Sequence, residues 1–314
     1  MSLLKWLIAS LLLVLIGINV VCGFHAYKFT HFSDSTTEGT QLNENSDFKE
    51  KLNALIFGVD LPKPTNLVID LDFVEVDTLI GEENLELWRF DMEPSKGVIA
   101  LFHGYRATKS SLWKEALAFY RMGFTVVLVD FRGSGNSTGS TCTLGYYEAN
   151  DVASVFQYCE KEYPEQKVFL YGSSMGAAAI MRAISVLGIQ PHGVILQSPF
   201  YSMLNAVKTR FELMHLPSFP SAQFMTFWGG WLNNFDAFYH NPIDYANDLT
   251  CPTLLIHGML DNRVSFESAK SIYHSIPGKK EFGVFSKSGH ESILNKEEPN
   301  WIYLVTNFME SNRH

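Results

Sequence analysis

Lys167-Val168-Phe169-Leu170-Tyr171-Gly172-Ser173-Ser174-Met175-Gly176-Ala177-Ala178-Ala179-Ile180-Met181-Arg182-Ala183-Ile184 passes from strand to sharp turn to helix without a break. The apolar run 168–171 has the pattern of a buried strand, and the Ala-rich run that follows favours helix. Between them Gly172 and Gly176 flank Ser174 at two residues on either side. A serine on so tight a turn has strained backbone angles and an outward hydroxyl. Glycines at those spacings keep side chains from colliding with strand or helix. The first N–H groups of the helix face any negative charge that develops beside the hydroxyl. A bare Gly-x-Ser-x-Gly arises by chance in roughly one chain of this length in ten. The weight of the motif therefore comes from the strand and helix around it, and from the partners found downstream.

The 314 residues suffice for one large domain with a small appendage, and 46% hydrophobic composition with 24 Phe supports a sizeable core. The net charge of −9, without a basic run, argues against nucleic acid as a partner. Cys22, Cys142, Cys159 and Cys251 form no Cys-x-x-Cys pair and have no His-x-x-x-His companion, so a zinc site is not expected. No cofactor is expected either.

Near the N-terminus, residues 6–24 carry no charge and are dense in Leu, Ile and Val. Nineteen helical residues reach about 28 Å, close to the hydrocarbon thickness of a bilayer. A cleavable signal has a shorter apolar core followed by small residues, and Val21-Cys22-Gly23 is a mediocre cleavage site. The run reads as an uncleaved transmembrane anchor behind a five-residue tail, 1–5. The α-amino group and Lys5 precede it and Lys28 follows. That slight excess favours a globular part on the non-cytoplasmic side. Residues 25–64 read as stalk and linker, with a lead-in helix at 47–56 and a rigid Leu61-Pro62-Lys63-Pro64 connector.

From residue 65 onward strand and helix alternate. The stretches 68–76 and 85–90 alternate apolar and polar residues, as an opening antiparallel pair would. Continuous apolar runs at 98–102, 125–130, 168–171, 194–197 and 252–256 suit strands buried on both faces, and 281–285 adds another. Helical patterns separate them. This predicts a mostly parallel α/β sheet with helices on both faces and ligands at the carboxyl ends of the strands. The alternation lapses at 199–249, where Phe211, Phe224, Phe227, Trp228 and Trp231 fall among other aromatics. It reads as a helical cap insertion over the strand ends, able to line an apolar pocket.

A serine hydroxyl is a poor nucleophile until a base accepts its proton and an acid orients the base. Asp261 follows the 252–256 strand by a short loop, and His290 sits beside Gly289 after the last strand. With Ser174 they give the order Ser, Asp, His. The backbone N–H of Met175, next to the nucleophile, and that of Tyr105, after the 98–102 strand, are the expected oxyanion donors.

His103-Gly104, Asp130-Phe131-Arg132-Gly133-Ser134-Gly135-Asn136-Ser137, Gly172-Ser173-Ser174-Met175-Gly176, His257-Gly258 with Asp261, and Gly289-His290 resemble, in order, the recurring blocks of the α/β-hydrolase superfamily over roughly 65–312. They look most like the bacterial serine aminopeptidase and monoacylglycerol-lipase-like branch. The resemblance implies the α/β-hydrolase fold and a Ser-Asp-His acyl hydrolase needing no metal, with Asp130 structural rather than catalytic. The match does not fix the substrate; the first reading takes a small acyl or lipid-like ester. A peptidase of the aminopeptidase type is the alternative, and the absence of acidic residues between Leu213 and Asn234 counts against it. A non-enzymatic binding protein on the same fold is the third reading.

Overall fold

A computed structural model describes residues 2–34, 39–40, 47–69 and 74–312. The apolar runs pair into one sheet of β1 (Glu75–Leu79), β2 (Leu85–Phe90), β3 (Val98–Phe102), β4 (Thr125–Val129), β5 (Val168–Ser173), β6 (Gly193–Gln197), β7 (Thr253–Gly258) and β8 (Lys280–Phe285), in the order β1-β2-β4-β3-β5-β6-β7-β8. β1 and β2 form the antiparallel hairpin, β2 is antiparallel to β4, and every pairing from β4 to β8 is parallel. Of the strand expected at 68–76, residues 70–73 lie outside the described residues, and the observed strand begins at Glu75.

The parallel strands are apolar throughout because both faces are covered. β3, β4, β6 and β7 are buried along their whole length. The helices α3 (Trp113–Arg121), α4 (Glu148–Glu162), α5 (Met175–Leu187), α8 (Pro242–Tyr245), α9 (Phe266–Ser275) and α10 (Ile293–Ser311) belong to the same unit as the sheet, which comprises Lys63–Ser202 and Asn241–His314. Under the centre of the sheet Phe119 of α3 meets Tyr171 of β5 and Trp301 of α10 edge-on, with ring centroids 5.9 and 5.5 Å apart. Burying each such ring contributes about 1.5–3 kcal/mol.

A second unit joins Met1–Pro62 to Met203–His240. It contains α1 (Ser2–Thr30), α2 (Phe48–Phe57), α6 (Met203–Leu213) and α7 (Ser221–Leu232). Asp47 starts α2 through a capping box with Glu50, close to where the lead-in helix is expected. α1 extends six residues past the uncharged run 6–24. One side of its C-terminal half is covered: Cys22, Ala26 and Thr30 are buried, four residues apart. The insertion is helical, as expected, but it is divided. Its first part packs with α1, whereas α8 and the 3-10 turn Ala246–Asp248 belong with the sheet.

At the carboxyl ends of β3 and β4 a buried ion pair ties two loops together. The Lys109 ammonium meets Asp130, and the Asp130 carboxylate also accepts from Lys109 N–H (2.8 Å), Asn66 Nδ2 (2.7 Å) and Asn136 N–H (3.1 Å). Both side chains are wholly buried. Asp130 thus has a structural setting, fastening the loop that follows β3. Asp130→Ala, which leaves the buried Lys109 ammonium with Glu86 (2.8 Å) as its remaining carboxylate, should lower stability by about 3 kcal/mol in urea unfolding.

Candidate active site

The site begins at the end of β5. Ser174 lies between strand and helix with φ 53° and ψ −107°. An L-residue at positive φ is strained by about 1–3 kcal/mol, and the surroundings hold it there. Its N–H donates to the Gln197 carbonyl at the end of β6 (2.7 Å), and its own carbonyl accepts from Ala178 N–H (3.1 Å). The flanking glycines have no substitute. A Cβ on Gly172 would stand 2.5 Å from Ala177 N, and one on Gly176 would stand 2.2 Å from the Phe102 carbonyl oxygen. The turn lets α5 start directly against β3.

A serine at a helix N-cap ordinarily bonds the N–H two or three residues on. The Ser174 side chain makes no such cap bond. Its hydroxyl reaches His290 Nε2 at 2.9 Å, and His290 Nδ1 reaches Asp261 Oδ2 at 2.7 Å. The other Asp261 oxygen accepts from Arg263 N–H (2.8 Å) and Val264 N–H (2.9 Å). Burial would raise the Asp261 carboxyl. The hydrogen bond and charge of His290, with the two N–H donors, outweigh it and hold the group below its ordinary value. An ionised carboxylate only accepts, so the His290 proton sits on Nδ1 and Nε2 is left to accept from the serine hydroxyl. The arrangement can draw a proton from Ser174 and stabilise the imidazolium that results.

The three side chains come from 174, 261 and 290, and the parallel sheet places the ends of β5, β7 and β8 on one rim. The expected oxyanion residues lie there too. Met175 opens α5, where helix N–H groups lack intrahelical partners. Gly104, directly before Tyr105, lies against Ser174: a Cβ built on it would be 3.7 Å from Ser174 Cβ.

Several supports have roles that the sequence did not assign. Glu297 interrupts α10 with φ −134° and ψ 48°, two residues before Pro299. Its carboxylate accepts from Lys287 N–H (2.8 Å) and the Ser288 hydroxyl (2.9 Å), bracing the loop that carries His290. Gly258 lets β7 pass that loop, because a Cβ there would be 2.3 Å from the Ser288 carbonyl oxygen. His257 donates from Nε2 to the Val264 carbonyl (3.1 Å), steadying the turn around Asp261. His103 accepts from Phe131 N–H at Nε2 (3.1 Å) and donates from Nδ1 to the Gly104 carbonyl (2.8 Å), fixing the loop before Tyr105. Only the Pro299 break and the His-Gly pairs leave a trace in the sequence. The rest depends on which loops meet.

His103 and His257 are fully buried. Burial pushes both imidazoles below their ordinary value, outweighing the pull of Asp130 on one and Asp261 on the other. Between the folded and unfolded values the unfolded chain binds protons that the folded chain does not. Their contribution is therefore complete above about pH 6.5 and is lost as pH falls through the lowered folded values. Urea unfolding should show stability declining on acidification below about pH 6.5, and His103→Gln should flatten that decline.

A family model described as serine aminopeptidase, S33, matches residues 93–242. The lysophosphatidylserine lipase ABHD12 of Danio rerio is 26% identical over 250 residues, 73% of this chain and 62% of that protein. Its counterpart in Mus musculus is 26% identical over 216 residues, 64% of this chain and 50% of that protein. The chain thus spans between 50% and 62% of the length of these curated relatives. Among solved structures, the Pyrococcus furiosus esterase Pf2001 matches with a TM-score of 0.63 at 22% identity, covering 79% of this chain and 97% of that one. An esterase from Exiguobacterium antarcticum matches with a TM-score of 0.56 at 16% identity, covering 75% and 98%. At these identities the structures speak for the fold, and the matched sequence runs through the same sheet. The order of the strands, the turn that carries Ser174 and these matches agree on one architecture: the chain has the α/β-hydrolase fold.

Proposed function

We propose that the protein is a membrane-anchored serine hydrolase that cleaves ester substrates, with lipid-derived acyl esters as the substrate class. One observation carries the reading: the hydrogen-bonded chain from Ser174 through His290 to Asp261, at 2.9 and 2.7 Å. Relatives named as lysophosphatidylserine lipases support the lipid-ester class. The helix over Leu3–Thr30, with a mean hydropathy of 2.6 in its most apolar window, supports the anchor. The positive charge of Lys5 ahead of the span supports a catalytic unit on the non-cytoplasmic side.

In the mechanism, Ser174 Oγ attacks the acyl carbon while His290 Nε2 takes its proton. Asp261 keeps the imidazole oriented and balances its charge. The tetrahedral oxyanion is held by the N–H groups of Met175 and Tyr105, each worth about 3 kcal/mol of barrier. His290 returns the proton to the leaving alcohol, and the acyl group stays on Ser174. Water, deprotonated by the same imidazole, then releases the acid and restores the serine. Binding without turnover lacks support, because a buried ionised Asp261 behind His290 serves no purpose in a plain ligand pocket.

Fluorophosphonate labelling of the detergent-solubilised protein tests the nucleophile. The wild type should label and Ser174→Ala should not, with hydrolysis of a short acyl ester falling about 10⁴-fold or more. Labelling that persists in Ser174→Ala would sink the assignment. Asp261→Asn should keep the fold and cost about 10⁴-fold in kcat, because the amide favours the wrong imidazole tautomer.

A further inference from the structure

The second unit holds an apolar surface that the hydrolase reaction does not call for. Between Leu213 and Asn234 the chain has no Asp, Glu, Lys or Arg. Leu213, Met214, Leu216, Phe219, Phe227 and Trp231 are nevertheless exposed, Phe219 to 76% and Trp231 to 67%. They lie at the end of α6, in the turn 214–220 and on one side of α7. The other side of α7 is covered. Ala222, Thr226 and Gly230 are buried at four-residue spacing, which is one helix face.

What α7 touches gives the surface its occupant. The Ser221 carbonyl accepts from Cys22 Sγ at 3.5 Å, and the Trp228 ring lies 3.4 Å from a Cβ built on Gly23. Trp228 Nε1 donates to Asn19 Oδ1 at 3.3 Å. Upstream of these contacts, residues 3–14 are exposed on every side, as a helix in lipid would be. The uncharged run 6–24 reaches about 28 Å along α1, the thickness of the hydrocarbon layer, so these contacts fall at its end. α7 therefore meets α1 at the level where the span leaves the bilayer. There it supplies the partner that a lone Asn19 needs in an apolar medium.

We infer that the turn 214–220 and the outer face of α7 seat on the lipid bilayer beside the exit of α1. Anchor and insertion then form one lipid-bound unit rather than a tether with a free cap. An uncharged surface with Trp and Phe at the polar boundary is the chemistry of an interfacial helix. Because it continues the surface of the span, the bilayer that takes α1 also takes α7.

The test uses the full chain in phosphatidylcholine nanodiscs holding one copy each. An NBD fluorophore is attached through Phe219→Cys or Trp231→Cys in a Cys251→Ser background, since the other cysteines are buried. Glu165→Cys, exposed on the hydrolase unit, is the control. With 5-doxyl phosphatidylcholine in the disc, quenching at 219 and 231 should exceed that at 165 by about twofold or more, with blue-shifted emission. Equal quenching at all three positions would overturn the proposal. So would a surface covered only by a second copy, which would stay wet in single-copy discs and read as unquenched. If the labelled variants fail to fold, Trp231→Phe with brominated lipids serves instead. The emission removed by the substitution should come from the lipid-quenched fraction, and loss of only unquenched emission would refute the inference. The readout needs no turnover, so it stands apart from the hydrolase reading.

Discussion

The positive φ of Ser174 is the constraint on which the site depends. A residue at φ 53° between β5 and α5 cannot use its side chain as an ordinary helix cap, so the hydroxyl is released toward His290. The strain persists because the backbone around it is over-determined. β6 accepts the Ser174 N–H, and Gly176 lets α5 press on the end of β3. The same close approach leaves the first N–H groups of α5 beside the hydroxyl, where a developing negative charge is best met.

Around that turn, buried polar groups do what packing alone cannot. Loops at strand ends have few apolar side chains to hold them, and each buried polar group must find a partner. Asp130 with Lys109, His103 with Gly104 and Phe131, His257 with Val264, and Glu297 with Lys287 and Ser288 each join a loop to a neighbouring element. Together they hold the loops that bring Gly104, Asp261 and His290 to Ser174. The two neutral imidazoles are chosen for geometry rather than charge, since each donates at one nitrogen while burial keeps it uncharged.

The second unit follows a different logic. From Trp6 through its first half α1 carries no charge on any side, a pattern that lipid or a deep core satisfies. In its second half it becomes one-sided, and α7 of the insertion meets that side through the Ser221 carbonyl and the Trp228 ring. Anchor and insertion lie nearly two hundred residues apart in sequence, yet they share one hydrophobic interface.

The sheet, the turn and the order of the three side chains that the structure brings together were legible in the sequence. Buried parallel strands must be continuous apolar runs, a nucleophile turn needs glycines at fixed spacing, and a base and an acid after late strands fall on the same rim. These are local or periodic constraints, so Val98–Phe102, Gly172–Gly176 and the order Ser174, Asp261, His290 carry them openly. Other features were decided only by the tertiary structure. That Glu297 braces the His290 loop, that Gly258 clears Ser288, and that α7 covers Cys22 and Gly23 of α1 are contacts between distant segments. Nothing in the spacing of either partner encodes them. The same holds for the extent of α1, which runs on to Thr30: an apolar count ends where the charges begin, while a helix continues as long as a neighbour covers its face.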